Sequence, residues 1–568
     1  MTSSQLIPVL ALTIATVAHG QTKPVTPIEH VIVVVGENRT FDNLYGAYQP
    51  KKGQTISNLL SKGIINKDGT PGPHFNDARQ NLATNFGSYT PTPSVIGRYS
   101  HLPQPYAAGA FGQRHDVPDS RFPVDMANGP FQITHHVSYG AHTGDPTHRF
   151  FQMWQQIDGG KQDLFVWTAE TTGPGPSNAP SPLSPGHTYQ GAIAMGFYNM
   201  AQGDASYFKK LADTYAIADN YHQPVMGGTT VNYFALATAD VATYNNGKLA
   251  KPPVNQIENP DAQPKTNNWY TEDGYHGGSY VKCADINEPG VAGIKKFFGT
   301  LPYRLFNDGN CDAETWYMVN NMDPGYGPMG ETIPLGDDKF ILPPQTMPHI
   351  GDALSAAGVS WKWYSGGRND GKNVDKEYCG MCDTPTFFTS TMNGPDKEKL
   401  QDLSHFYVDV KDAKTFPSVA VIAPYDSISG HPGYAMPPSF DELVSDIVDR
   451  VRGNPELWKN TAILVTFDEG GGYYDSGYIQ FIDFFGDGTR IPLVAISPYS
   501  KPGHVDHTYY DHASIIKFIE HNWSLPPLTK RSRDNLPNPV TDKSNPYVPV
   551  NRPAIGDLTS LFDFSKKP

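Results

Sequence analysis

Two apolar, β-branched runs in this chain end abruptly on acidic residues, and that punctuation constrains the fold more than any other feature. Residues 31–35 run into Gly36-Glu37-Asn38-Arg39-Thr40-Phe41-Asp42, and residues 463–467 run into Asp468-Glu469-Gly470-Gly471-Gly472. Residues 418–422 and 493–496 are further runs of the same kind. Continuous apolar runs, as opposed to alternating ones, mark strands buried on both faces, the habit of parallel sheets. Residues 439–451 carry a helical pattern, with Ser439 placed to cap it and Glu442 three residues on as a capping-box partner. Residues 511–523 form a second such pattern, with Ile515, Ile516, Phe518 and Ile519 on its apolar side. Strand–helix–strand at both ends of the chain predicts an α/β fold with an open, mainly parallel sheet covered by helices. Functional residues in such sheets gather beyond the carboxyl ends of the strands, and both acidic clusters lie there. Residues 240–345, rich in Asn, Gly and Pro, are expected to form a large loop-rich insertion that could serve as a lid. No repeat or low-complexity linker divides the rest, so residues 21–568 are expected to form one domain.

Composition narrows the partners. The formal charge is −14, which disfavours nucleic acid and anionic membranes as default partners. An anionic substrate remains compatible, because a metal ion can reverse the field inside a cleft. The apolar stretch at residues 6–17, followed by Ala18-His19-Gly20, reads as a signal peptide cut near Gln21, which predicts a secreted or periplasmic protein without stable membrane insertion. Four cysteines suit two disulfides in an exported chain; Cys283–Cys311 with Cys379–Cys382 is the most local of three pairings. The Cys379-Gly380-Met381-Cys382 tetrapeptide could also be half of a zinc site, but no second Cys pair or nearby His pair completes it.

Four polar clusters carry the chemistry. Glu37 and Asn38 offer hard oxygen ligands at one strand end, the donor type that suits a cation holding phosphate; capping a following helix is the alternative. Asp468 and Glu469 place adjacent carboxylates at another, which calls for a cation or a raised pKa. In Gly227-Gly228-Thr229-Thr230-Val231-Asn232 the double glycine precedes a helical pattern at residues 229–239. Thr229 would then sit at a helix N-terminus, where backbone N–H groups favour phosphate and a metal-contacting hydroxyl can become a nucleophile. Asn232, one turn on, could donate to a phosphate oxygen. His431, in Ser429-Gly430-His431-Pro432-Gly433, and His148, in Asp145-Pro146-Thr147-His148, could each protonate a leaving alkoxide or hold a phosphate oxygen.

As a set, spread in order over residues 28–525, these motifs together with Tyr510-Asp511-His512-Ala513-Ser514 resemble the phosphoesterase family of bacterial phospholipases C and related secreted acid phosphatases. The resemblance implies an alkaline-phosphatase-like three-layer sandwich and one divalent metal ion (Zn, Fe, Mn, Mg or Ca). It implies Glu37, Asn38, Asp468, Glu469 and the Thr229 oxygen as ligands, and a phospho-threonine intermediate. It further implies His431 assisting the leaving group, His148 holding phosphate and Asn232 supporting the transferring group, with Asp511-His512 either a supporting pair or a helix start. The substrate would be a phosphate ester or a phospholipid head group. Gly227-Gly228-Thr229-Thr230-Val231-Asn232 lacks the Gly-Pro-Thr and Pro-Asn-Arg runs usual in the phospholipase C branch, which points to an acid phosphatase. A phospholipase C acting on phosphatidylcholine-type diesters is the alternative within the family, and a non-catalytic binding protein on the same fold is the alternative outside it.

Overall fold

The computed structural model describes residues 22–85, 87–107, 118–171, 191–244, 251–261, 278–336 and 339–565. The expected signal peptide, residues 1–20, lies outside the described residues. Eight strands form the central sheet: β1 His30–Gly36, β2 Ala216–Ala218, β3 Trp361–Ser365, β4 Leu400–Asp402, β5 Val419–Ala423, β6 Thr461–Phe467, β7 Leu493–Ile496 and β8 Val505–Asp506. Their spatial order is β4-β3-β5-β1-β6-β7-β2-β8. β1 lies at the centre, parallel to β5 on one side and to β6 on the other. β7 is antiparallel to both of its neighbours, β6 and β2, and is the one strand of the sheet to run against the rest.

Burial on both faces explains the unbroken apolar runs. Val31, Val33 and Val35 of β1 join one core cluster, and Ile32 and Val34 join another on the opposite face. Helices α3 Thr229–Thr238 and α5 Ala513–Trp523 cover the first face through Tyr233, Leu236, Ile515, Ile516 and Ile519. Helices α2 Ser206–Thr214 and α4 Pro437–Gly453 cover the second through Phe208, Leu211, Phe440, Leu443, Val444 and Ile447. Helix, sheet and helix thus make three layers, as the strand and helix patterns predict. A short helix, α1 Phe41–Tyr45, follows β1 directly.

Local chemistry shifts two helix starts. The capping box expected at Ser439 does not form, because α4 begins earlier, with Pro437 and Pro438 in its first turn. Proline fixes φ near the helical value and has no N–H to leave unpaired there. Ser439 lies inside that turn, and its hydroxyl donates back to Met436 O at 2.6 Å. α5 starts at Ala513, and Asp511 stands just before it, accepting from Ala513 N at 2.8 Å. Both disulfides take the local pairing, Cys283–Cys311 and Cys379–Cys382. Among the described residues no helix is long and apolar enough to cross a membrane.

Candidate active site

The site is assembled at the carboxyl ends of β1, β2, β5 and β6. β1 stops at Gly36, where a Cβ would come within 2.5 Å of the Phe440 ring, so the strand end packs directly on α4. The chain turns through Asn38, whose φ of 61° lies in the left-handed region, one that Asn tolerates better than most side chains. The cap of α1 is Thr40, which accepts from Asn43 N at 3.1 Å. Glu37 and Asn38 are therefore not helix caps, and both are buried.

The loop after β6 closes on them. Asp468 Oδ1 accepts from the backbone N–H of Asn38 at 3.3 Å and of Glu469 at 2.8 Å, joining the two acidic strand ends. The glycines that follow are sterically required. A Cβ on Gly471, where φ is 59°, would lie 2.5 Å from Asn38 Cβ, and one on Gly472 would lie 2.0 Å from Thr147 O. Thr229 is the first residue of α3, and its hydroxyl lies close enough to Asp468 to hold that carboxyl's pKa down against burial. The double glycine before it threads a gap: a Cβ on Gly227 would meet Val319 O at 2.2 Å, and one on Gly228 would meet Asn321 Oδ1 at 2.7 Å.

Asn232 departs from its expected role. Its Nδ2 donates to Gly227 O at 2.9 Å and Gly228 O at 3.0 Å, and its Oδ1 accepts from Val225 N at 3.1 Å. Buried backbone groups in a tight glycine turn need partners, and Asn232 supplies them, so it braces the Thr229 loop instead of presenting a donor to phosphate.

The two histidines converge, with ring centroids 6.0 Å apart. His431 Nε2 faces Asn38 Nδ2 at 2.8 Å and its Nδ1 faces Pro432 O at 2.6 Å. An amide N–H₂ can only donate, so Nε2 is the acceptor and Nδ1 carries the proton. Burial, reinforced by the neighbouring His148, pushes the His431 pKa down to about 3. His431 is thus a neutral ring with its outer nitrogen engaged, which does not match the expected leaving-group acid. His148 Nδ1 faces Pro146 O at 2.7 Å, while Nε2 stands 3.9 Å from Glu469 Oε1. Asp145, named at first only as part of a motif, completes a group with His148 and His431 whose ligand atoms lie within 4.8 Å of one another.

Electrostatically the site is crowded with like charge. Burial and then mutual repulsion hold the Glu37 and Glu469 carboxyls well above their ordinary range, and burial pushes Asp468 up to about 7. Asp145 is also raised by burial, with Arg39 opposing. Four buried oxygens here accept no hydrogen bond: Asn38 Oδ1, Asp145 Oδ1, Asp468 Oδ2 and Glu469 Oε1. Buried acceptors without partners are costly, and hard oxygens in this number are the donor set of a divalent cation.

Two residues of the site, Gln223 and Tyr434, carry no signal in the sequence, and a third, His512, is marked there without a settled role. Gln223 bridges two loops, accepting from Gly470 N at 2.9 Å and donating to Val225 O at 2.7 Å. Tyr434 stacks on His431 with centroids 4.3 Å apart and donates its hydroxyl to Glu37 Oε2 at 3.2 Å. His512 Nε2 donates to Asp468 O at 2.7 Å while its Nδ1 accepts from Tyr221 Oη at 2.7 Å, and burial lowers its pKa to about 4. The Asp511-His512 pair therefore does both things the sequence allowed: one residue starts a helix and the other holds the backbone of the acidic loop.

The chain is similar to several known proteins. The chain is 27% identical over 320 residues to the hemolytic phospholipase C of Pseudomonas aeruginosa, covering 45% of this chain and 40% of that protein. It is 22% identical to phospholipase C B of Mycobacterium tuberculosis strain H37Rv, over 96% of this chain and 79% of that protein. A probable acid phosphatase of Kluyveromyces lactis is 25% identical over 40% of this chain and 55% of its own length. The two Pseudomonas phospholipases C that the chain matches are spanned over only about two fifths of their length, 40% and 39%. Among solved structures, a protein of the alkaline phosphatase superfamily from Vibrio parahaemolyticus aligns at 9% identity and a TM-score of 0.27, covering 56% of this chain and 60% of that one. The profile of the Phosphoesterase family matches residues 28–526, with every cluster described above inside that span, and the chain belongs to that family.

Proposed function

We propose that the protein is a metal-dependent phosphoric-ester hydrolase with Thr229 as nucleophile. The observation that carries this reading is Thr229 at the start of a ten-residue helix, its hydroxyl acting on the buried Asp468 carboxyl, beside four buried oxygens that accept no hydrogen bond. Those oxygens fit a divalent cation: Asn38, Asp468 and Glu469, with Glu37 and Asp145 adjoining, would hold it. Such a cation would polarise the phosphoryl oxygens and favour ionisation of a neighbouring hydroxyl.

The chain's own groups do the rest. Thr229 Oγ attacks phosphorus as its proton passes to Asp468, the bond to the leaving oxygen breaks, and the leaving alkoxide takes a proton from water. Asp468, the carboxyl on which the Thr229 hydroxyl acts, is the acceptor for the Thr229 proton. The N-terminal end of α3 favours the phosphoryl charge. Water then cleaves the phospho-threonine and restores the hydroxyl. His148, at the rim, is better placed than His431 to meet the substrate, while His431 orients Asn38. Export of the mature chain, expected from residues 6–17, is supported by two disulfides of the kind kept in oxidising compartments.

The Gly227-Gly228-Thr229 turn favours phosphate monoesters as substrates. The phospholipase C reading is favoured by the relative from M. tuberculosis that aligns over 96% of this chain. Parallel assays on p-nitrophenyl phosphate and p-nitrophenyl phosphorylcholine from about pH 4 to about pH 9 distinguish the two. We expect monoester turnover at least about tenfold above diester turnover, a barrier difference of ~1.4 kcal/mol. The reverse ratio would establish the phospholipase reading, and absence of both activities in metal-loaded protein would overturn hydrolysis altogether.

A further inference from the structure

The Cys379-Gly380-Met381-Cys382 tetrapeptide has, in the sequence, only half of a zinc ligand set. The fold brings the missing partner from the end of β1. Cys382 Sγ lies 3.4 Å from Glu37 Oε1, and ligand atoms of Glu37, Cys379 and Cys382 all fall within 4.8 Å of one another. A sulfur and an oxygen bound to one tetrahedral zinc, at about 2.3 Å and about 2.0 Å, stand roughly 3.5 Å apart. The surroundings are also arranged as a ligand turn. Cys382 N donates to Cys379 Sγ at 3.2 Å, and Trp363 Nε1 holds Cys382 O at 3.2 Å. Tyr434 occupies Glu37 Oε2, which leaves Oε1 facing the sulfurs. Cys382 is buried and Cys379 only partly so, which gives a cation a way in.

We propose that Cys379 and Cys382, once reduced, form with Glu37 a three-ligand site for a thiophilic divalent cation of the zinc type, closed in the oxidised protein by the disulfide itself. Reduction by an external dithiol breaks the Cys379–Cys382 bond, forms two protein thiols, and leaves the reductant as its own disulfide. The cation then displaces the two thiol protons and binds two thiolates and a Glu37 oxygen, with water in the fourth position. Cation binding at this site stands independently of the hydrolase reading. Its consequence, withdrawal of Glu37 from the phosphate centre and loss of turnover, rests on that reading.

The test uses the full chain, oxidised or reduced with a phosphine, titrated with Co²⁺ and followed by thiolate-to-cobalt charge-transfer absorption. We expect one saturable band per chain in reduced wild type and in the Cys283→Ser/Cys311→Ser variant. No band is expected in oxidised protein or in the Cys379→Ser/Cys382→Ser variant. Glu37→Gln is expected to weaken Co²⁺ binding at least about tenfold. The site is overturned by a reduced wild type with titratable thiols and no band, by a band that survives Cys379→Ser/Cys382→Ser, or by loss of near-ultraviolet circular dichroism on reduction. In parallel, Zn²⁺ is expected to suppress phosphatase turnover of reduced wild type and to spare the Cys379→Ser/Cys382→Ser variant to a greater extent. A cobalt band with turnover untouched would leave the thiolate site standing and overturn Glu37 as a residue of the phosphate centre.

Discussion

Two of the buried acidic clusters among the described residues solve the same problem in opposite ways. Around Arg490, the guanidinium donates to Asp475 at 2.8 and 3.0 Å, to Asp42 at 3.3 Å, and to the carbonyls of Ser57 and Asp219 at 2.6 and 2.9 Å. Asp42 also accepts from Ser476 and from Leu59 N, so its oxygens are filled. Burial works to raise the Asp475 carboxyl, but Arg490 overrides it and holds that carboxyl below its ordinary range, while burial and the neighbouring Asp475 keep Asp42 raised. At the Thr229 site, Glu37, Asp468 and Glu469 are equally buried, no basic side chain is among the main influences on them, and their pKa values rise. One cluster carries its own cation and is structural. The other has lone pairs to offer and, on the proposed reading, receives one.

The largest effect that would sharpen this contrast lies at Thr229. Thr229→Ala is expected to lower kcat by at least about a thousandfold while metal content stays near wild type, as found when a nucleophile is removed from an intact site. Retention of a tenth of wild-type kcat would sink the assignment, as measured by steady-state kinetics beside elemental analysis.

Next in size is the structural cluster. Arg490→Met leaves Asp475 and Asp42 buried without their hydrogen-bonded counter-charge, with only Lys62 nearby, and chemical denaturation should record a loss of about 3–5 kcal/mol. Metal binding per folded chain should not change. A variant that folds as stably as wild type would mean that the two clusters do not differ as argued.

The smallest change in stability has the most telling sign. Asp468→Asn should abolish metal binding and turnover, yet stabilise the metal-free chain above neutral pH by relieving repulsion, by ~1 kcal/mol. The linkage follows from the proton count. Asp468 titrates at about 7 in the folded state against an ordinary 3.8, so the folded chain holds the extra proton between those values. Its contribution to stability is full below about pH 4 and is lost as pH rises through about 7. Asp475 has the opposite sign: its contribution is present above the ordinary carboxylate range and disappears as pH falls through its lowered folded value. Melting temperatures of metal-free protein against pH should therefore fall towards neutrality in wild type and flatten in Asp468→Asn. Saturating metal should remove the slope. A flat wild-type profile without metal would break the comparison.

What the sequence determined by itself was the architecture and the edge of the sheet on which the acidic strand ends gather. Apolar runs such as residues 31–35 can only be strands covered on both faces, and acidic residues placed directly after them must lie at the carboxyl edge of the sheet. The double glycine before Thr229 likewise announced a turn into a helix, because local sterics and backbone hydrogen bonding act over a few residues. Tertiary structure alone decided which distant groups meet. It gave the Thr229 side chain to Asp468, turned Asn232 inward to brace its loop, and left His431 neutral against Asn38. It also set Tyr434 and the Cys379–Cys382 bridge on Glu37. Hydrogen-bond partners and pKa shifts depend on burial and on neighbours hundreds of residues away along the chain, and no local pattern encodes either.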